Sequence, residues 1–157
     1  MSYTAEQGAI SAVYRPRDGA HEVPRPTSTV RFTAPGSVTQ GDFGLWHFEM
    51  QPKAGGPDPH FHRTFSESFY VLAGTVRLYD GASWVEATAG DFLYVPKGGI
   101  HAFSNDADAP AEMLILFAPG FGRERFVEEM AEIVAAGREM TEDDWIAFYD
   151  RHDQYMV

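Results

Sequence analysis

The sequence of 157 residues contains no cysteine. Without cysteine a chain forms no disulfide, no thiolate zinc site and no iron–sulfur cluster, and it has no cysteine nucleophile. Long hydrophobic runs are also missing, since no segment approaches the roughly 18 apolar residues that a membrane-spanning helix needs. The first 30 residues hold no apolar stretch of signal-peptide length. These absences predict a soluble cytoplasmic protein with no membrane partner.

Basic residues are scarce as well. Twelve Lys and Arg stand against 23 Asp and Glu, which gives a formal net charge of −11. Such a chain repels the phosphate backbone, so we expect no nucleic-acid partner. Apolar residues make up 44% of the sequence and aromatic residues 14%. That content is enough for a packed core and excludes intrinsic disorder for most of the chain.

The middle of the chain, residues 29–119, has the pattern of short strands. Trp46 and Phe48 alternate with polar neighbours, which is the period of a half-buried strand. Residues 92–95 and 113–117 are continuous apolar runs, which predict strands buried on both faces. The gaps between strands are too short for crossover helices, so parallel βαβ folds are excluded. We therefore predict an all-β antiparallel sandwich or barrel.

The two ends of the chain differ from this middle. Residues 1–28 are polar and contain three prolines, which predicts an arm with one short strand near Ile10–Tyr14. Residues 120–157 have helical periodicity, and Thr141 is a good N-cap for a second helix. We predict one or two C-terminal helices packed outside the barrel. Removing them is expected to affect mainly solubility or assembly.

Four side chains have the residue types and spacing of a metal site. His60 and His62 are two residues apart, so they point to one face of an extended chain. Glu67 follows closely enough to face the same point after a tight turn, and His101 comes from a later loop. Three imidazoles and one carboxylate form a mixed nitrogen and oxygen donor set for a divalent metal.

The spacing around these residues resembles the two motifs of the cupin superfamily. The first resemblance lies in the segment His60-Phe61-His62, followed by Glu67 and Gly74. The second has five matching positions, which are Gly90, Pro96, Gly98, His101 and Asn105. The usual first glycine of the first motif falls on Ala54, with Gly55 and Gly56 beside it.

This resemblance implies a cupin barrel, the double-stranded β-helix or jelly roll, with one metal near the barrel mouth. The implied ligands are His60, His62, Glu67 and His101, which leave two positions open on an octahedral ion. Fe²⁺ is favoured because His and carboxylate ligands with open positions suit it. Mn²⁺, Ni²⁺, Co²⁺ and Zn²⁺ are the alternatives. Glu67 is the ligand that can also accept a proton, which makes it the candidate catalytic residue.

The lining of the substrate pocket follows from strand alternation. Because His62 and Glu67 face inward, we expect Phe69 and Val71 to do so as well. The same count from His101 gives Phe103, and His47 is a further candidate. The remaining histidines, His21 and His152, are expected at the surface, as are Arg63, Lys53 and Lys97 near the mouth.

Three functions are compatible with this site. The first is a dioxygenase resembling the quercetin-dioxygenase cupins, which would act on a small enol, phenol or diketone. The second is a non-redox isomerase, lyase or cyclase of a small carbonyl compound. The third is a binding protein without catalysis. Cupins commonly pair through sheet edges, so the resemblance also implies a homodimer.

Overall fold

The computed structural model describes residues 12–157, and Ile10, where a first strand was predicted to begin, lies outside that range. Within it, residues 12–16 form no strand and Arg17–Gly19 form a 3₁₀ turn. The strands in this part of the chain are β1 (Glu22–Pro24), β2 (Ser28–Ala34), β3 (Gly44–Met50), β4 (His60–Phe61), β5 (Ser66–Ala73), β6 (Thr75–Tyr79), β7 (Trp84–Thr88), β8 (Phe92–Val95), β9 (Ala102–Ser104), β10 (Ala111–Ala118) and β11 (Tyr155–Met156). The helices are α1 (Glu124–Ala135) and α2 (Glu142–Arg151).

The strands form three antiparallel sheets. The largest has six strands in the order β1-β2-β3-β10-β5-β8, and a second has the order β7-β6-β9. The third pairs β11 with β4. Strands β1, β2 and β3 are consecutive in sequence, whereas β10 comes from far along the chain and pairs with both β3 and β5. This arrangement confirms the predicted jelly-roll architecture with C-terminal helices.

Side chains from the two larger sheets meet in one hydrophobic core. Phe103 of β9 packs against Phe48 of β3 and Phe69 of β5, with ring centroids 5.4 and 5.6 Å apart. In β3 buried residues alternate with half-buried ones along the strand, as the period of two predicts. This alternation fixes which side chains point into the barrel.

Two strands differ from their predicted burial on both faces. In β10 buried and half-buried residues alternate along the whole strand. In β8, Phe92 and Tyr94 are 62% and 58% exposed. The physical reason is that antiparallel sheets cover only one face, and β8 also lies at a sheet edge. Exposed apolar side chains at an edge are consistent with a partner chain there, and the homodimer stays a prediction that light scattering can test.

The two ends of the described chain are both attached to the barrel. Part of the segment predicted as an arm is β1, which pairs with β2. At the other end β11 pairs with β4, with Tyr155 opposite Phe61 and Met156 opposite His60. Within residues 12–157 no helix is long and apolar enough to cross a membrane.

Candidate metal centre

The two segments that carry the histidines are joined by backbone hydrogen bonds. The His60 N–H donates to the His101 carbonyl at 3.0 Å, and the His101 N–H donates back to the His60 carbonyl at 2.9 Å. The Gly98 N–H donates to the His62 carbonyl at 2.6 Å. Gly56 is also required here, because a Cβ at that position would lie 1.6 Å from the Phe103 carbonyl oxygen. The backbone therefore brings the two motifs, remote in sequence, to one place.

The four predicted ligands converge at that place. His60, His62, Glu67 and His101 are all buried, and each offers one donor atom within 4.8 Å of the others. Glu67 Oε2 lies 3.0 Å from His62 Nε2 and 2.8 Å from His101 Nε2. Donors that each lie about 2.0–2.2 Å from one ion are at most about 4.4 Å apart, so the cluster has the size of a metal site. This buried group is able to bind a metal.

The outer contacts of the imidazoles support that chemistry. The Nδ1 atoms of His60, His62 and His101 lie 2.8, 2.6 and 3.0 Å from the carbonyl oxygens of Asp58, Asp153 and Gly99. A carbonyl only accepts hydrogen bonds, so each Nδ1 must carry the hydrogen. Once the Nε2 atoms of His62 and His101 give up the hydrogen they share with Glu67 Oε2, each neutral ring has its lone pair on Nε2. Backbone carbonyls commonly orient metal-binding imidazoles in this way.

The protonation equilibria of the site favour a cation at Glu67 and His60, whereas His101 would have to release a proton to bind one. Burial raises the pKa of the Glu67 carboxyl, but hydrogen bonds with His101 and His62 outweigh it and hold that pKa well below its usual range. Burial lowers the pKa of His60 to about 3, with His101 adding to the effect. Burial also lowers the pKa of His101, yet the hydrogen bond and charge of Glu67 raise it above the ordinary value. An ionised carboxylate next to a neutral imidazole is what metal binding requires.

A cavity of about 240 Å³ opens beside the cluster, with His60 and Glu67 in its wall. Strands of the large sheet supply much of the apolar wall, and the C-terminal extension (residues 120–157) supplies the rest. The apolar lining consists mainly of Trp46, Phe48, Met50, Phe103, Ile115, Phe117, Phe126, Val127 and Met130. Open, mostly apolar space next to a candidate metal centre is typical of a small-molecule site.

The predicted pocket residues fall into three groups. Phe103 lines the cavity. Phe69 and Val71 are fully buried core residues, and the Phe69 ring packs 5.8 Å from the His101 ring, behind the cluster. His47 lies on the opposite side of β3 from Trp46, where its imidazole contacts Arg31 and Glu112. His47 therefore belongs to the outer face of the sheet, because alternate residues of a strand point in opposite directions.

Sequence reasoning missed the contribution of the C-terminal extension. Asp153 provides the carbonyl that accepts from His62, and its carboxylate accepts from the N–H groups of Arg63 and Thr64. Arg123 and Gln154 line the cavity. His152, expected at the surface, has a side chain only 9% exposed. These contacts depend on a chain reversal after α2 that no motif in the sequence marks.

Comparisons with known proteins agree with this geometry. A family model of the cupin domain matches residues 46–117, which include all four clustered side chains. The fold is a cupin jelly roll. A quercetin 2,3-dioxygenase from Bacillus subtilis is 29% identical over 90 residues, or 57% of this chain. The chain spans only 26% of that enzyme's length.

Solved structures show the same cupin fold at low sequence identity. KdgF from Halomonas sp. has a TM-score of 0.61 and 15% identity, covering 69% of this chain and 94% of that one. The polyketide cyclase RemF from Streptomyces resistomycificus has a TM-score of 0.58 and 23% identity, covering 69% of this chain and 80% of that one. The compared cupins therefore bear different functions on one fold, and a function has to be argued from the site.

Proposed function

We propose that this protein is a metal-dependent oxygenase of a small organic molecule with an enol, phenol or diketone group. One observation carries the proposal: a buried donor set of three imidazoles and one carboxylate lies at the wall of an apolar cavity. The 29% identity to a quercetin 2,3-dioxygenase is consistent with this chemistry. In this proposal the ligand fits a cavity of about 240 Å³.

The residues that would hold the metal are His60, His62, Glu67 and His101. Fe²⁺ is our first choice, with Mn²⁺, Ni²⁺, Co²⁺ and Zn²⁺ as alternatives, because imidazole and carboxylate donors suit all of them. A bound ion of this kind would supply Lewis-acid chemistry, and every one of these ions except Zn²⁺ could also supply redox chemistry. The aromatic wall, which includes Phe103 and Phe117, would exclude water from the reacting groups.

Glu67 has the second role that we assign to this chain. Its carboxylate is ionised and lines the cavity, so it is placed to accept a proton from a substrate hydroxyl. His62 and His101 hold Oε2 by hydrogen bonds, which fixes the orientation of the carboxylate. A proton on Glu67 would remain close to the substrate for return.

The experiment begins with elemental analysis of protein purified without a metal-affinity tag. Oxygen uptake is then measured with a panel of flavonols and diketones, with His101→Ala as the matched control that lacks one donor. We expect one equivalent of a redox-capable metal and substrate-dependent oxygen consumption in the natural protein alone. A protein that takes up no metal even after reconstitution would contradict the proposal.

A second candidate is non-redox chemistry, such as isomerisation, elimination or cyclisation of a carbonyl compound. The buried guanidinium of Arg123 favours it, because a fixed cation in the cavity stabilises the negative charge of an enolate. Anaerobic assays of zinc-loaded protein distinguish the two candidates. Product formation without oxygen would support the second and exclude the first.

A further inference from the structure

The cavity wall contains a buried positive charge that the metal-binding role does not use. Arg123, at the start of α1, is only 8% exposed and lines the cavity together with His60 and Glu67. Burial lowers the pKa of Arg123 to about 10, so the guanidinium is still charged at neutral pH. A buried charge is costly unless it is paired, so the partners of this group need an account.

The partners of Arg123 inside the protein are neutral and incomplete. Its Nη1 donates to the His152 carbonyl at 3.1 Å, and its Nη2 donates to Gln154 Oε1 at 2.7 Å. A guanidinium has five N–H groups, and the buried Nε atom has no hydrogen-bond partner within the described chain. Among residues 12–157 no carboxylate lies within 4.0 Å of this guanidinium. The guanidinium therefore has no direct ion pair in this part of the molecule, and the carboxylates of Glu67 and Asp153 attract it only over a longer distance.

The aromatic surroundings hold the guanidinium rigidly and keep water away from it. Its Cζ lies 4.1 Å from the centroid of the Phe126 ring and 5.5 and 5.9 Å from those of Phe65 and Phe117. Such an environment has a low effective dielectric constant, which strengthens an interaction with an anion. The site is thus already arranged for a group of opposite charge.

The other cations near the site are placed differently. Arg25 also lines the cavity and has no side-chain partner among the described residues, but more of its surface is exposed than that of Arg123. Arg63 lies over the Tyr155 ring at 3.8 Å, and Lys53 donates to the Asp106 carbonyl at 2.6 Å. Arg25 is therefore suited to attract an anion, and Arg123 to bind it.

The charge of the metal centre points the same way. A divalent ion bound by one carboxylate and three neutral imidazoles keeps one net positive charge. Arg123 adds a second positive charge in the wall of the same cavity. The ligand that balances them is an anion with an apolar body.

We propose that Arg123 binds a carboxylate on the substrate, so that among small enols, phenols and diketones the protein prefers those that carry a carboxylate over their neutral analogues. The inference rests on the proposed function in taking the bound carboxylic acid to be the substrate. The binding of the carboxylate to Arg123 does not itself require turnover. The competing interpretation is that Arg123 only holds the C-terminal segment through His152 and Gln154.

The test uses benzoate and its neutral isostere benzamide as probes. Binding to the full-length, zinc-loaded protein is measured by isothermal titration calorimetry. The variants are Arg123→Gln, Arg123→Lys and His101→Ala, and Arg138→Gln is the control that makes the same charge change at an exposed site. Metal content is determined for every sample by elemental analysis, and folding by circular dichroism.

We expect the natural protein and R138Q to bind benzoate at least about tenfold more tightly than benzamide, as a buried charge pair requires. R123Q should lose this preference while keeping its metal and its affinity for benzamide. His101→Ala should keep the preference despite losing the metal. R123K keeps the charge without the planar fork, so it should retain part of the preference.

Three outcomes would overturn the inference. The first is equal affinity of the natural protein for the two probes. The second is a preference that survives in R123Q but vanishes in His101→Ala, because the carboxylate would then bind the metal. The third is an equal loss of affinity for both probes in R123Q, which is the mark of a structural role. If R123Q does not fold, the comparison of R123K with His101→Ala takes its place. A preference for benzoate over benzamide that is unchanged in R123K but absent in His101→Ala would overturn the inference, because the carboxylate would then bind the metal. Absence of metal from the natural protein would contradict the proposed function alone.

Discussion

The barrel and the C-terminal extension contribute differently to one site. The barrel holds the donor atoms of His60, His62, Glu67 and His101. The extension, residues 120–157, contributes the carbonyl that orients His62 and the arginine in the cavity wall. The barrel thus positions all four side chains that would hold a metal. The extension adds part of the wall of the cavity next to them.

The two regions are also held in place by different means. Strands β5 and β10 are paired over seven positions, so Glu67 sits in a continuous ladder of hydrogen bonds. The end of the extension is attached by the two-residue strand β11 and by the contacts of Asp153. A short attachment opens at lower free energy than a long ladder. Changes in the barrel should therefore abolish metal binding, and changes in the extension should tune it.

The largest effect is expected for His101→Ala. Removing one of four donors should lower metal affinity by more than the roughly 10–100-fold that outer contacts are worth. The barrel should stay folded, because His101 is held by backbone bonds that alanine retains. Elemental analysis and circular dichroism measure the two effects. Unchanged metal stoichiometry would show that the cluster is not the metal site.

A deletion of residues 152–157 tests the extension directly. It removes the acceptor of His62 Nδ1 and the partners of Arg123. We expect metal affinity to fall by about 10–100-fold, as measured by titration against a competing chelator. Deleting Val157 alone is the control, since it keeps Asp153 in place. Equal affinities in the two truncated proteins would mean that the extension does not support the metal centre.

Thr141→Ala should have a smaller effect, confined to stability. Thr141 Oγ1 accepts a hydrogen bond from the Asp144 N–H at 3.1 Å and caps α2. Loss of an N-cap costs about 1 kcal/mol of the free energy of unfolding. Urea denaturation measures the loss, and Thr141→Ser is the matched control that keeps the hydroxyl. A changed metal content in Thr141→Ala would argue against separate roles for the two regions.

The smallest effect is expected for Glu129→Gln, and it depends on pH. Glu129 of α1 is paired with Arg151 and His152, which hold the pKa of its carboxyl below the usual range. The stability this provides, about 0.2–1 kcal/mol, is present above the ordinary glutamate pKa of about 4.3. It is lost as the pH falls through the lower folded-state value. Thermal melts of both proteins should differ most at pH 7, and the difference should shrink as the pH is lowered below about 4.3.

Local patterns predicted most of the strands and the clustering of the four candidate ligands. The alternation at Trp46 and Phe48 fixed β3, and the spacing of His60 and His62 placed both imidazoles on one side. Parity failed for His47, because a strand pattern shows that two faces differ but not which face meets the cavity. The prediction of burial on both faces failed for Phe92 and Tyr94, because apolar character does not distinguish an edge strand from a central one.

The sequence by itself determined an antiparallel sandwich or barrel, because turns and strand periods act over a few residues. Its resemblance to the cupin motifs implied the jelly roll and marked the four candidate ligands. Only the tertiary structure decided what surrounds them. Arg123 lies 56 residues after Glu67 in the chain, yet both line one cavity. Asp153 reaches His62 across 91 positions. Such contacts arise from how the helices pack against the barrel, which depends on many weak interactions at once and leaves no local pattern.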